Sequence, residues 1–231
     1  MGTTISYQRP DGQTVQAYLA EPAGADASTP GLVVVQEWWG VNDQIRSVAE
    51  RYAQAGYRVL VPDLYRGKVT LEEAEAHHLM TGLDFGAAAG QDVRGAVQHL
   101  KAGGAKVGVT GYCMGGALTF LAAVFVPEVD ATAAWYGYPP LEYIDATRIK
   151  APLLAHFATQ DTFFSIDNVD ALADKLRAAG VNFEFHRYDA MHAFANETQV
   201  DPHRIAAAKY DPEAAALAWS RTLAFFGQHL R

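Results

Sequence analysis

The stretch KVGVTGYCMGGALTF, residues 106–120, decides how this chain is organised. Its first five residues are mostly apolar and β-branched and predict a buried strand, whereas the residues after Cys113 favour a helix. Cys113, the only cysteine, thus lies at a strand-to-helix turn, two residues from Gly111 and two from Gly115. Glycines at these spacings allow a tight turn that lifts the central side chain above the edge of a sheet. The sequence leaves two interpretations open: a reactive thiol, or a small and inert core residue.

The rest of the chain alternates between strand and helix patterns. TISYQ (4–8) and TVQAYLA (14–20) alternate polar and apolar residues and predict an antiparallel hairpin. Strands that alternate with helices predict an α/β protein with a mainly parallel, doubly wound sheet. An antiparallel hairpin at the start of such a sheet is typical of the α/β-hydrolase fold, which is the fold we expect. We expect one domain over residues 1–231, without a separate lid domain. The further predicted strands are 31–36, 57–63, 106–111, 131–137, 152–158 and 182–188, and the predicted helices are 42–56, 71–82, 86–102, 114–126, 167–179 and 212–228.

Composition limits the partners. Of 231 residues, 26 are acidic and 18 are Lys or Arg, and the net charge of −8 argues against binding to nucleic acid. A single cysteine permits no internal disulfide and suits the cytoplasm, and no apolar run reaches the length of a membrane span. We expect a cytoplasmic protein, a monomer or homodimer, that acts on a small molecule. We expect no cofactor and no metal, because His77 and His78 lack further ligands at a convincing spacing.

The loops after two later strands offer partners for the thiol. Asp161 follows strand 152–158 and His192 follows strand 182–188, in the order acid then histidine that accompanies a nucleophile elbow. His192 can accept the thiol proton, and Asp161 can orient the imidazole. Asp167 and Asp189 are weaker candidates for the acid. Asp167 is expected to cap the next helix, and Asp189 lies only three residues from the histidine on the same loop. His156 and His186 lie within strands and are expected to be structural.

A third loop, QEWWG (36–40), follows the strand at 31–36. This loop supplies one donor of the oxyanion hole in many enzymes with a nucleophile elbow, so the backbone N–H groups of Trp38 and Met114 are the predicted donors. Glu37 is a carboxylate at the end of an apolar strand. From the residues alone, a solvated loop charge is its simplest interpretation.

Taken together, these stretches resemble the dienelactone hydrolase (carboxymethylenebutenolidase) family. The resemblance rests on VVVQEWWGVNDQIRSVAERYAQAGYRVLVPDLYRG, KVGVTGYCMGGAL, AAWYGYP and the spacing to QD and HAF. It implies a catalytic triad of Cys113, His192 and Asp161. It also implies that Glu37 contacts the cysteine in the resting enzyme, which favours a catalytic role for Glu37 over a solvated one.

Two departures bear on the substrate. The family resemblance implies an arginine four residues after the histidine, where this chain has Asn196, and another in the helix that here reads LEEAEAHHLM (71–80). Without these arginines we expect a preference for neutral substrates over carboxylates. Aromatic side chains could line such a pocket or simply pack in the core. The predicted substrate-binding residues are Trp39, Tyr138, Phe163, Phe164, Phe194 and Asn196, with Trp38 nearby.

The expected function is cysteine-dependent hydrolysis of carboxylic esters or lactones, of the enol-lactone or aryl-ester type, through a thioester intermediate. The same nucleophile could attack an activated phosphate triester. Two alternatives are a redox-sensing thiol and an inactive binding module on the same scaffold. A redox sensor with a resolving thiol is disfavoured because Cys113 is the only cysteine.

Overall fold

The computed structural model describes residues 2–202 and 204–231. Its centre is an eight-stranded sheet in the order β1-β2-β4-β3-β5-β6-β7-β8. β1 and β2 pair antiparallel, β2 joins β4 antiparallel, and the remaining neighbours are parallel. The strands are β1 Thr3–Gln8, β2 Thr14–Ala20, β3 Gly31–Val35, β4 Arg58–Pro62, β5 Val107–Tyr112, β6 Ala131–Trp135, β7 Leu153–Ala158 and β8 Phe183–Tyr188.

Helices cover both faces of the sheet, as the alternating pattern predicted. The helices are α1 Asp43–Gln54, α2 Glu73–Thr81, α3 Phe85–Ala87, α4 Arg94–Lys101, α5 Met114–Phe125, α6 Ile166–Ala178 and α7 Pro212–Leu230. One face packs against α1 and α7, and the other packs against α4, α5 and α6. Successive residues of β3 serve opposite faces, so that Leu32 packs beneath α1 while Val33 packs beneath α4. This double burial explains why the central strands are continuously apolar.

The predicted α/β-hydrolase fold is confirmed, and most element boundaries differ from the prediction by one or two residues. The single helix predicted over 86–102 is instead α3, a π-helical turn Ala88–Val93 and α4. Asp92 in the π turn is buried and pairs with Arg9 and Arg66. The prediction that Asp167 caps α6 is wrong, because Ser165 is the N-cap and its hydroxyl accepts a hydrogen bond from the Asp167 amide.

The connection between β6 and β7 contains two 3₁₀ turns, Leu141–Tyr143 and Ala146–Arg148. Neither was predicted, since three-residue turns leave no periodic pattern. Over the residues that the structure describes, no helix has both the length and the apolar character needed to cross a bilayer. The carboxyl ends of β3, β5, β7 and β8 meet at one edge of the sheet, and the loops that follow them carry the predicted site residues.

Candidate active site

Cys113 occupies a strained turn between β5 and α5. Its backbone has φ of 55° and ψ of −115°, a conformation that residues with a side chain rarely adopt. The flanking glycines make the turn possible by close approach of backbones. A Cβ on Gly111 would overlap the carbonyl oxygen of Gly115, and one on Gly115 would overlap that of Val35. The strain and the packing together hold the thiol at the N-terminus of α5, above the sheet edge.

His192 lies beside the thiol. Its Nε2 is 3.1 Å from Cys113 Sγ, and its side chain is only 4% exposed. The loop that carries His192 is fixed by the segment before α7, because the Lys209 amide donates to the His192 carbonyl oxygen. The backbone contact to Lys209 and the ring contact to Cys113 therefore both hold the histidine within proton-transfer distance of the sulfur.

Asp161 completes the arrangement from the other side of the imidazole. Its Oδ2 is 2.7 Å from His192 Nδ1, while its Oδ1 accepts hydrogen bonds from the amides of Phe163 and Phe164. The carboxylate is thus aimed by two backbone donors. Of the alternatives, Asp189 accepts a hydrogen bond from Gln160 and Asp167 is exposed on α6, so neither contacts the histidine.

These contacts change the acidity of the imidazole. Burial alone would lower the pKa of His192, but the negative charge of Cys113 and the hydrogen bonds to Asp161 and Cys113 outweigh it and raise the pKa to about 10. An imidazole with a raised pKa keeps a proton that it has taken from the thiol.

Glu37 is buried rather than solvated, and it lies in the wall of the same cavity as Cys113. Its carboxylate accepts hydrogen bonds from the Tyr136 hydroxyl at 3.3 Å and the Asn196 amide at 2.5 Å. Burial raises its pKa, and the charge on His192 and these two hydrogen bonds offset only part of the shift. The expected contact with the cysteine differs from the structure, in which the sulfur is hydrogen-bonded to His192 and not to Glu37.

The two predicted oxyanion donors, Trp38 and Met114, both line the cavity at Cys113. Met114 is the first residue of α5, where amides have no partner within the helix. Trp38 follows Glu37 in the loop after β3. Within residues 2–202 and 204–231, neither amide donates a hydrogen bond to the protein.

A cavity of about 710 Å³ opens at Cys113. This volume lies within the range of small-molecule sites. Its walls are almost entirely apolar and aromatic, and among the described residues that form them none is Lys or Arg. Trp38, Trp39, Tyr138, Phe163 and Phe164 line it as predicted.

Two predicted substrate-binding residues do not reach this cavity. Phe194 is fully buried and packs against Trp135, Tyr136 and Tyr188, so its role is core packing. Asn196 is also fully buried, and its amide group is turned to Glu37. The predictions for these two residues are corrected, because each lies behind the cavity wall. His156 is structural as predicted, being buried between Tyr188 and Thr222, and His186 pairs with Glu184 away from the site.

Two tyrosines near the nucleophile were not foreseen. Tyr136, with φ of 36°, follows β6 and reaches Glu37. The Tyr65 hydroxyl donates a hydrogen bond to Met114 Sδ at 3.2 Å, next to Cys113 in the chain. Both follow strands of the sheet, which is the one signal in the sequence that could have selected them. No group of three or more His, Cys, Asp or Glu in the described part of the chain is arranged to hold a metal ion.

The sheet order, the elbow and its acid–histidine partners define an α/β-hydrolase. The comparisons with known proteins narrow this class. The dienelactone hydrolase family matches residues 15–230, and the chain therefore belongs to that family and is an ester or lactone hydrolase.

The relatives match over their whole length. Protein usf from Aquifex pyrophilus is 34% identical over 241 residues, with 100% of each chain covered. An Aquifex aeolicus protein named "Putative carboxymethylenebutenolidase" is 31% identical over 242 residues, again with 100% of each covered. A crystal structure from Klebsiella pneumoniae, described as a "Putative Dienelactone Hydrolase", superposes with a TM-score of 0.81 at 29% identity and covers 99% of this chain and 100% of that one.

Proposed function

We propose that this protein hydrolyses aryl esters, enol esters and lactones with Cys113 as the nucleophile, His192 as the general base and acid, and Asp161 as the orienting acid. The observation that carries the proposal is the continuous hydrogen-bonded chain from Cys113 Sγ to His192 Nε2 (3.1 Å) and from His192 Nδ1 to Asp161 Oδ2 (2.7 Å). An acid, a base and a nucleophile in this order and at these distances are the working parts of acyl transfer.

In the first half-reaction, Cys113 Sγ forms a bond to the carbonyl carbon and its proton passes to His192 Nε2. The carbonyl oxygen gains negative charge, which the N–H groups of Trp38 and Met114 stabilise. The bond from carbon to the leaving oxygen then breaks, and His192 gives its proton to that oxygen. The products of this half-reaction are an alcohol and a thioester on Cys113.

In the second half-reaction, His192 takes a proton from water as the water oxygen attacks the thioester. The bond from carbon to sulfur breaks, the sulfur regains a proton, and a carboxylic acid leaves. Glu37, beside Cys113 in the cavity wall, has a raised pKa that suits a second proton acceptor near the sulfur. We assign it that supporting role.

The two alternatives account for less of the geometry. A redox-sensing thiol needs neither an oriented Asp161 nor a strained elbow, and a binding module needs no base at the sulfur. A phosphate triester with an aryl leaving group is a second candidate substrate, because it is uncharged and the cavity wall contains no Lys or Arg among the described residues. The same sulfur would attack phosphorus as the aryloxide leaves with a proton from His192, and water would then cleave the phosphorus–sulfur bond.

The test is hydrolysis of phenyl acetate and of acetanilide by the wild type and by Cys113→Ala. We expect the wild type to cleave the ester and not the amide, because thiolate leaves a tetrahedral intermediate more readily than an amide nitrogen does. Cys113→Ala should lose ester hydrolysis while its melting temperature shows that it is folded. Leu217→Ala, an exposed change on α7, is the matched control and should behave as the wild type. Undiminished activity in folded Cys113→Ala would overturn the proposal.

A further inference from the structure

The wall of the cavity at Cys113 has two different parts. In one part, the rings of Phe163 and Phe164 pack on His192, with centroids 4.9 Å and 5.6 Å from the imidazole. A separate part of the wall is the face of α5 that carries Ala117, Leu121 and Phe125. We call this second part the α5 groove.

The residues of the α5 groove are spaced by four, and so is Cys113 from Ala117. Residues four apart in a helix lie on the same face, so Ala117, Leu121 and Phe125 form one row, and Cys113 at the N-cap precedes its first member by four residues. Phe125 lies twelve residues beyond Cys113, which corresponds to a rise of about 18 Å along the helix. The row is therefore an extended wall and not a single contact.

The remaining boundaries of the α5 groove are apolar as well. Leu83 and Phe85, before and at the start of α3, line the cavity together with Met80 of α2. Phe125 closes the far end, and the guanidinium of Arg148 lies 5.2 Å from the centre of its ring. This contact holds the ring of Phe125 in place.

The proposed mechanism decides which part of a substrate lies on which side. His192 must reach the leaving oxygen to protonate it, so the leaving group lies on the side of His192, between the rings of Phe163 and Phe164. The acyl substituent of the carbonyl then extends away from His192. The α5 groove is the apolar part of the cavity wall that can receive this substituent.

We propose that the α5 groove is an acyl subsite that selects esters with an uncharged, extended hydrocarbon acyl chain. The inference rests on the proposed function, and it goes beyond it by naming the substrate class. A wall of apolar side chains that follows α5 over a rise of about 18 Å can bury a hydrocarbon chain favourably. It also offers no described Lys or Arg to a charged one.

The experiment is a series of phenyl esters with acetyl, butanoyl, octanoyl, dodecanoyl and hexadecanoyl groups, which share one leaving group. We expect kcat/KM of the wild type to rise along the series, by up to about fourfold for each methylene that becomes buried. The increase should stop when the chain reaches Phe125.

Two variants locate the effect in the α5 groove. Leu121→Trp fills it midway and should lower the dodecanoyl-to-acetyl ratio of kcat/KM by at least tenfold. Phe125→Ala opens the far end and should move the optimum to a longer chain, which keeps the test decisive if Leu121→Trp does not fold. Leu217→Trp introduces the same side chain at a position on α7 that is 47% exposed, and should leave the ratio unchanged.

The outcomes separate this inference from the proposed function. If Cys113-dependent hydrolysis occurs but kcat/KM does not rise with chain length, the acyl subsite is refuted while the nucleophile stands. The same holds if the ratio is insensitive to both α5 variants. If no ester is cleaved, or cleavage survives in Cys113→Ala, the proposed function itself fails.

Discussion

The amide of Asn196 donates a hydrogen bond to the buried Glu37 carboxylate over 2.5 Å. Asn196 was expected to contact the substrate, but it supports an acid in the wall of the active-site cavity instead. Tyr136 is the other hydrogen-bond donor to Glu37, so the carboxylate is held by two neutral groups. Two neutral donors compensate a buried charge less well than a guanidinium would.

Glu37→Gln should change how stability depends on pH. Because burial raises the pKa of Glu37 above 4.5, the folded protein keeps a proton that the unfolded chain has already released as pH rises above 4.5. The wild type therefore loses stability over this interval, and the neutral glutamine does not. The difference in melting temperature, variant minus wild type, should grow from pH 4.5 to pH 7. Parallel stability curves would contradict a raised pKa.

The neutral setting of the cavity predicts a preference between matched esters. Phenyl hexanoate and the monophenyl ester of adipic acid have the same chain length, but the second ends in a carboxylate. Taking a carboxylate out of water without a cation is costly, and a penalty of about 1.4 kcal/mol already gives tenfold. We expect kcat/KM to favour the neutral ester by at least that factor.

A preference for the anionic ester would mean that a cation serves the site. The arginines that could do so are otherwise engaged, among them Arg148, whose guanidinium packs on the ring of Phe125. Arg66 pairs with Asp92, and Arg204 binds Asp201 and the carbonyl oxygens of its own loop. Substituting each by Gln would then identify the cation.

Asp161→Asn should disable the base without removing it. The variant loses the carboxylate that helps to raise the pKa of His192 to about 10, so this pKa should fall and the imidazole should hold a proton taken from the thiol less well. Ester turnover should drop by about 10²–10⁴-fold, and alkylation of Cys113 by iodoacetamide at pH 7 should slow. Asp189→Asn is the matched control, since Asp189 is bonded to Gln160 and not to the histidine. Equal effects of the two changes would rule out Asp161 as the orienting acid.

Gly115→Ala should destabilise the elbow. The added Cβ would overlap the carbonyl oxygen of Val35, and relieving that overlap should cost about 1–3 kcal/mol in the free energy of unfolding. Gly227→Ala is a control in α7, where a Cβ meets nothing within 4 Å. This change should raise the free energy of unfolding by about 0.5–1 kcal/mol. Urea unfolding measures both. A neutral effect of Gly115→Ala would show that the turn does not need the glycine.

The sequence predicted most of the fold because its signals are local and periodic. β3 and β5 are short apolar runs, and α1 and α5 follow them with helical composition, so the alternation defines the sheet. The π turn at Ala88–Val93 was missed because it continues the helical pattern on either side. Buried Asp92 of this turn pairs with Arg9 of the N-terminal hairpin, a contact between distant residues that no local rule foresees.

The candidate site was predictable where reactive side chains follow the carboxyl ends of parallel strands. Cys113, Asp161 and His192 each follow a strand whose carboxyl end meets the others, and the structure brings them together. Phe194 and Asn196 were misplaced because nearness to His192 in sequence does not decide which side of a loop faces the cavity. The row on α5 was not foreseen, although its spacing of four from Cys113 is visible in the sequence.

The proposed mechanism requires that Cys113 carries the acyl group during turnover. The most direct measurement is rapid-quench mass spectrometry of the wild type mixed with excess p-nitrophenyl acetate. A burst of nitrophenol should accompany a mass increase of one acetyl group, and peptide mapping should place that group on Cys113. Asp161→Asn should form the same adduct more slowly. Rapid turnover with no burst and no adduct, or with an acetyl group on a residue other than Cys113, would rule out Cys113 as the acyl carrier.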